Sequence, residues 1–197
     1  MRHHRLLGIA MFFLLAAILV VPGLIQGAQA KPVAGGGNGD GTGIVVVQSV
    51  ALTADEVKWL KYLREEEKVA RDVYTYLYSK WGALIFKNIA ASEQKHMDAI
   101  KNLLMKYGVS DPAAGNDYGV FTNQELQVLY DKLIVDGSVS KRAALEVGVL
   151  IEELDIGDLE EAMSATTHND IKNVYSNLLQ GSFNHLAAFE SQLAKLA

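Results

Sequence analysis

The sequence predicts an all-α protein, a bundle of four long amphipathic helices with one extra short helix between the second and third long helices. Apolar residues recur at alternating spacings of three and four along four long stretches after residue 52. That period is typical of helices that bury one face. Only 3 of the 197 residues are proline, so few positions would interrupt a helix. The length is sufficient for one domain with a sizeable core.

Composition argues against several functional classes. The formal net charge is −5, and no basic run occurs beyond the N-terminus, which argues against nucleic-acid binding. The chain has no cysteine, so disulfides, thiolate metal sites and cysteine nucleophiles are impossible. Neither Gly-x-Ser-x-Gly nor His-Glu-x-x-His is present, so no hydrolase is indicated.

Residues 1–30 have the pattern of a secretory signal. A basic start from Arg2 to Arg5 precedes the apolar segment Leu6–Val21, and Ala28-Gln29-Ala30 offers a cleavage site. An uncleaved N-terminal anchor is the alternative, and it is the one membrane contact the sequence suggests. Either way we expect export to the periplasm, the cell surface or the medium.

Residues 31–51 are predicted to be a flexible tether because they are rich in glycine. No Gly-Lys-Ser/Thr ending follows, so this is no phosphate-binding loop. The helical bundle domain is predicted to occupy residues 52–197.

The first long helix is predicted to begin at a capping box of Thr53 and Glu56 and to run to about Lys80, ending before Gly82. Glu67 falls within its apolar stripe, in line with Leu60, Leu63, Ala70, Tyr74 and Leu77. The neighbours Glu65 and Glu66 are expected in solvent, with Glu66 as a substitute for Glu67 if the helix is rotated. Tyr74 is expected to pack in the core.

The second helix, from about Leu84 to Tyr107, places Glu93 and His96 on the stripe that should face the core. An unpaired buried carboxylate costs several kcal/mol, so such a Glu is normally paired, protonated or bound to metal. Glu-x-x-His supplies two metal ligands in bundle cores. Taken alone, the motif is weak.

A short helix is predicted to open at a capping box of Thr122 and Glu125. Its apolar side has no polar interruption, which predicts a structural element that braces the bundle. That side consists of Leu126, Leu129, Tyr130, Leu133 and Ile134.

The third long helix begins near Ser140 and carries Glu152 on its buried stripe, with Asp155 close to the same face. Glu146 and Glu153 belong to a neighbouring row and are expected in solvent or beside the ligands. Gly157 is expected to bend or break this helix.

The fourth long helix begins around Asn169, and His185 is the only ionisable residue on its apolar stripe. A lone histidine is more often a satisfied core residue than a ligand. His168, in the preceding turn, is expected to be exposed.

The polar interruptions of the four long helices fall at one depth of the bundle. A site rich in carboxylate and histidine but free of thiolate suits iron or manganese, and two ions need bridging carboxylates. We therefore predict two ions in the core. The expected ligands are Glu67, Glu93, His96, Glu152 and His185, with Asp155 as a further candidate. Arg71 and Asp72 are expected to orient these ligands.

Several segments, in order, resemble the ferritin-like family filed as domain of unknown function 2202, over about Leu52 to Leu196. They are Arg64–Asp72, Ser92–Met97, Val147–Gly148 with Ile151–Ile156, and Gly181–Leu186. The resemblance implies a ferritin-like four-helix bundle. Because that family is uncharacterised, the resemblance implies no reaction.

The wider ferritin-like superfamily has Glu on the first helix, Glu-x-x-His on the second, Glu on the third and Glu-x-x-His on the fourth. Tyr74 resembles the tyrosine that often lies seven positions after the first ligand in that superfamily. The fourth helix departs, because Ser182 stands where the Glu before His185 is expected. Either Asp155 compensates from the third helix, or one metal position is weak or empty.

The leading functional hypothesis is an exported di-metal protein with ferroxidase or peroxide-related redox activity, acting on oxygen or peroxide. The alternative is a non-enzymatic exported bundle with a structural metal or a partner-binding role. A storage cage is less favoured, because nothing in the sequence identifies a cage interface. The sequence leaves the oligomeric state open, a dimer included.

Overall fold

The computed structural model describes residues 51–196, and this part of the chain forms five α-helices and no strand. They are α1 (Ala54–Trp81), α2 (Leu84–Lys106), α3 (Gln124–Gly137), α4 (Lys141–Ala165) and α5 (Asn169–Ala194). The all-α prediction is confirmed, as is the short helix between the second and third long ones. The predicted signal sequence and all but the last residue of the predicted tether lie outside the described residues.

The four long helices pack as a bundle in which each contacts two others. α1 packs against α2 and α4, and α5 packs against α4 and α2. Short turns join α1 to α2 and α4 to α5, so each pair is antiparallel. α1 and α4 are also antiparallel, because Glu56 contacts Thr166 while Tyr74 contacts Gly148.

The second and third long helices are joined by residues 107–140, which we call the crossover segment. It includes α3, which packs against α1 and α4. Leu126 and Leu133 are buried there, and Leu129, Tyr130 and Ile134 pack around them. The predicted bracing role of this helix is confirmed. None of the helices in residues 51–196 is long and apolar enough to cross a membrane.

Most helix ends lie where the sequence predicts them. Thr53 and Glu56 form the capping box of α1, and Gly82 ends that helix with a φ of 65°, a left-handed conformation that glycine adopts without steric cost. The predicted start of α3 is wrong by one residue. Asn123 is the N-cap, because its side chain accepts from two backbone N–H groups of the first turn, while the Thr122 hydroxyl donates to the Pro112 carbonyl.

Gly157 does not break the third long helix, because α4 continues through it to Ala165. A glycine in a helix interior costs only about 1 kcal/mol. Packing of the buried residues on either side, Glu152 and Leu159 among them, outweighs such a cost.

Two apolar clusters fill the bundle and leave a polar layer between them. One cluster contains Tyr74, Phe86 and Phe189, and the other contains Leu60, Ile100 and further residues toward the opposite end. Burying one such side chain stabilises the fold by about 1.5–3 kcal/mol. The polar layer lies at mid-length of the long helices, where solvent has little access.

Candidate metal centre

Each long helix contributes to one buried polar layer, which we call the core layer: Glu67 from α1, Glu93 and His96 from α2, Glu152 from α4 and His185 from α5. The three carboxylates are 1–2% exposed and the two imidazoles 9%. These residues form two overlapping groups of possible metal ligands, and in each group one ligand atom per residue lies within 4.8 Å of the ligand atoms of the other two. The first group is Glu67, Glu93 and His96, and the second is Glu93, Glu152 and His185. The predicted convergence at one depth is confirmed.

Glu93 lies at the centre of the core layer. Its Oε2 is 2.8 Å from His96 Nδ1, and its Oε1 is 2.9 Å from His185 Nδ1. A second carboxylate lies behind each imidazole. Glu67 Oε2 is 3.3 Å from His96 Nδ1, and Glu152 Oε2 is 3.4 Å from His185 Nδ1. The two oxygens of Glu93 therefore contact two imidazoles from different helices, and each imidazole also faces one further carboxylate.

The close approach of α2 to α5 depends on a glycine that the sequence reasoning did not single out. A Cβ at Gly181 would lie 2.7 Å from His96 Nε2, closer than side-chain carbons normally come. The two imidazole rings are stacked with their centroids 5.6 Å apart. Gly181 thus leaves the space in which His96 turns its Nδ1 toward Glu93.

Asp155 lies beside the core layer but outside the two groups of close donor atoms. It is 5% exposed, and its Oδ2 accepts a hydrogen bond from the Ser182 hydroxyl. Its Oδ1 has no hydrogen-bond partner. Ser182 thus contacts the one carboxylate that could take the place of the Glu expected on α5.

The electrostatics of the site reflect an excess of buried carboxyl groups. Burial, together with Asp155 and Glu93, raises the pKa of Glu67. Burial also raises the pKa of Glu152 to about 6 and that of Asp155 to about 7. Glu93 differs, because contacts with His185 and His96 outweigh burial and lower its pKa to about 2.

The imidazoles respond in the opposite sense. Burial acts to lower the pKa of His185, but Glu152 and Glu93 raise it to about 9. The pKa of His96 is also raised, by Glu93 against the effect of burial. Within residues 51–196, the two imidazoles are the basic groups in contact with the core-layer carboxylates.

The donor set fits a metal ion better than it fits a closed hydrogen-bond network. Glu67 Oε1 and Asp155 Oδ1 are buried without a hydrogen bond. An unsatisfied buried polar atom costs about 1–3 kcal/mol, and more when charged. Carboxylate oxygens with imidazole nitrogens are ligands that suit iron and manganese. The buried atoms without partners are the atoms such ions would use.

Tyr74 has a role beyond the core packing expected for it. Its ring packs against Phe86 and Phe189, and its hydroxyl donates to Glu152 Oε1 at 2.6 Å. The hydroxyl therefore fixes the oxygen of Glu152 that does not face His185. Its place on the stripe of Glu67 was the signal from which this contact could have been predicted.

Glu65 and Glu66, which precede Glu67, were expected in solvent, but both are buried. Glu65 is 2% exposed and accepts from the backbone N–H groups of Thr122 and Asn123 at 2.5 and 2.9 Å. Glu66 is 5% exposed and lies at the contact between α1 and α4, beside Asp158. The prediction failed because the crossover segment covers the outer face of α1.

Arg71 and Asp72 do not orient the core-layer ligands, so that expectation is wrong. Asp72 accepts from Lys68 at 2.7 Å and from the Gly119 N–H at 2.9 Å, and Arg71 pairs with Asp72 and Gln94. Asp72 and Lys68 thus anchor the crossover segment to α1, while Arg71 joins α1 to α2.

His168 is also not exposed, because its side chain is 12% accessible and lies 2.7 Å from Glu56. By contrast, Glu146 and Glu153 are exposed as expected.

Comparison with known proteins agrees with this architecture. The chain is 51% identical to the uncharacterised protein MJ0754 of Methanocaldococcus jannaschii over 142 residues, 72% of this chain and 77% of the relative. The crystal structure of hypothetical protein MJ0754 superposes with a TM-score of 0.73 at 50% identity and covers 75% of this chain and 84% of that one.

A fragment of a DUF305 protein from Deinococcus radiodurans shares the fold alone. Its TM-score is 0.61 at 11% identity, covering 74% of this chain and 99% of the fragment.

The model of the uncharacterised protein domain DUF2202 matches residues 56–196, which includes every helix except the first two residues of α1. With this match and a relative of 51% identity, the chain belongs to the DUF2202 family.

Proposed function

We propose that this chain is a ferritin-like metalloprotein that binds two ions of iron or manganese in the core layer. The observation that carries the proposal is the arrangement around Glu93, whose two oxygens each face the Nδ1 of a different histidine. A carboxylate so placed can bridge two ions, each with one imidazole and one further carboxylate, from Glu67 or Glu152.

The ferritin-like arrangement is supported by the connectivity of the bundle. The long helices contact one another in the cyclic order α1, α2, α5, α4, with neighbours antiparallel. The crossover segment runs from the end of α2 to the opposite end of the bundle, where Trp81 Nε1 donates to the Gly137 carbonyl. Ligands projecting inward from all four helices of such a bundle are typical of carboxylate metal proteins.

We further propose a redox function on oxygen or peroxide, of the ferroxidase or peroxidase kind. Bound iron or manganese would supply the electron transfer. The chain holds its ligands in place: the Tyr74 hydroxyl orients Glu152, and Glu93 fixes both imidazoles. The apolar clusters on either side of the layer limit the access of water.

A non-enzymatic role is the second candidate, favoured by one observation. Ser182 stands at the position where a sixth ligand would be expected, and its hydroxyl contacts Asp155. If Asp155 remains held by Ser182, one ion is coordinated by fewer protein groups. A site of that kind suits a metal that stabilises the bundle.

Export of the domain remains part of the proposal and is supported by the basic and apolar segments of residues 1–30. The test is the length of the mature chain from the native host, measured by mass spectrometry. A chain that still begins at Met1 in the cytoplasm would contradict export.

The metal proposal is tested by metal content after native purification and anaerobic loading with iron(II) or manganese(II). We expect two ions per chain in the wild type and a loss of both in Glu93→Gln, because Glu93 serves both positions. Glu153→Gln is the matched control, since it removes an exposed carboxylate from α4 and should retain two ions. Oxidation of iron(II) by oxygen or peroxide then separates the redox role from the structural one. A wild type that binds neither metal would refute the proposal.

A further inference from the structure

A line of carboxyl groups connects the surface with the core layer along the contact between α1 and α4. Asp158 is half-buried at its outer end. Glu66 lies beside Asp158 and is 5% exposed. Asp155, one helical turn from Asp158 on α4, is also 5% exposed and lies next to the core layer. Asp155 also acts on Glu66 and Glu67 as a neighbouring charge, so the three carboxyl groups lie between solvent and the ligands along this helix contact.

Two of these carboxyl groups have an atom without a partner. Glu66 Oε2 and Asp155 Oδ1 are buried and accept no hydrogen bond. Such atoms are rare in folded proteins and call for an explanation. Asp155 and Asp158 are both close enough to act on Glu66, so three carboxyl groups share this contact between α1 and α4. Burial of these like charges favours the presence of a cation.

The basic residues nearest in sequence to Glu66 pair elsewhere. The Arg64 guanidinium binds Asp111, with Nε and Nη2 at 3.1–3.2 Å from its oxygens. The Lys68 ammonium donates to Asp72 and to backbone carbonyls of the crossover segment. At the outer end of the line, Tyr62 lies near Asp158 and Glu125, and Glu125 is an exposed residue in the first turn of α3. Two carboxylates, Asp158 and Glu125, therefore lie at the outer end of the line.

We propose that Glu66 and Asp158 form a loading site for a divalent cation, from which iron(II) or manganese(II) passes by way of Asp155 to the core layer. This inference rests on the proposed metal function. The site offers carboxylate oxygens alone, which bind hard divalent cations and release them more readily than a site that also has imidazoles. Electrostatic attraction by the carboxylates at the outer end of the line raises the local concentration of such cations.

The test is the rate at which the metal-free full chain takes up manganese(II). Uptake is followed by the disappearance of the paramagnetic resonance signal of the free ion. We expect Glu66→Gln/Asp158→Asn to load at least tenfold more slowly than the wild type while reaching the same two ions per chain. Asp158→Asn alone, at a half-buried position that a folded chain tolerates, should slow loading by at least threefold. Glu160→Gln is the control, because it removes an exposed carboxylate two residues along α4 and should load at the wild-type rate.

The outcomes separate this inference from the proposed function. A wild type that takes up no manganese contradicts both. A wild type that loads two ions, with variants that load equally fast, overturns the loading site alone. Variants that load at the wild-type rate but hold fewer ions also overturn it, because Glu66 and Asp158 would then be ligands of the final site.

Discussion

Glu56 ties three segments together at one end of the bundle. It closes the capping box with Thr53, accepts from the Thr166 hydroxyl and lies 2.7 Å from His168 Nδ1. Burial alone would raise the pKa of Glu56, but the hydrogen bonds from Thr166, the Thr53 backbone and His168 outweigh it and lower the pKa to about 2.

We expect Glu56→Gln to lower the free energy of unfolding by about 1–3 kcal/mol at pH 6. The upper value corresponds to the fall in pKa from the ordinary 4.5 to about 2. The lower value allows for solvent screening at the end of the bundle and for hydrogen bonds that the amide retains. Because the folded pKa is depressed, the stabilisation is present above pH 4.5 and is lost as the pH falls through 2.

The assay is urea unfolding of metal-free protein, followed by circular dichroism at pH 6, 4, 3 and 2.5. The difference between wild type and variant should shrink steadily below pH 4.5, since Glu56 then becomes protonated in the wild type. Asp55→Asn removes an exposed charge from the same turn and should cost less than about 1 kcal/mol. A difference that stays constant down to pH 2.5 would refute the reasoning.

Three further predictions concern the core and the metal. Tyr74→Phe removes the hydroxyl that donates to Glu152 and should lower the free energy of unfolding of the metal-free protein by about 1–3 kcal/mol in urea titrations; unchanged stability would contradict the contact. Gly148→Ala should destabilise by about 1–3 kcal/mol, because its Cβ would lie 2.6 Å from the Phe189 ring. A Cβ at Gly157 would have no atom within 4 Å, so Gly157→Ala should instead stabilise the protein by about 0.5–1 kcal/mol. If thermal melts showed both alanine substitutions shifting the melting temperature in the same direction, that result would be evidence against this packing. Free metal at 100 times its dissociation constant should raise the free energy of unfolding by about 2.7 kcal/mol, reversed by a chelator; a melting temperature insensitive to both would count against binding.

Much of the fold was predictable because a helical period identifies the face that turns toward the core. Thr53 and Gly82 mark the ends of α1 through local backbone chemistry, and both lie where the sequence predicts them. The same period places Glu67 and Glu93 on inward stripes, so their convergence followed from the pattern of the separate helices.

The outer face of α1 was not predictable in this way. Periodicity shows which residues point away from the core but not what covers them. Lys68 is 2% exposed because its ammonium is held by Asp72 and by carbonyls of the crossover segment 49 and 52 residues further along the chain. Contacts across such a sequence distance leave no local signal, and a run of charges then resembles a solvated face.

The carboxylates on the two faces of α1 differ in how fully their oxygens are satisfied. On the outer face, Asp72 accepts from an ammonium, a guanidinium and a backbone N–H, and Glu65 accepts from two backbone N–H groups. On the inner side, Glu67 keeps one buried oxygen without a hydrogen bond, as does the neighbouring Asp155 on α4. A polar layer retained only for structure would be expected to resemble the outer face, since an unmade buried hydrogen bond costs stability. The contrast within one helix therefore supports a core layer whose remaining partners are cations.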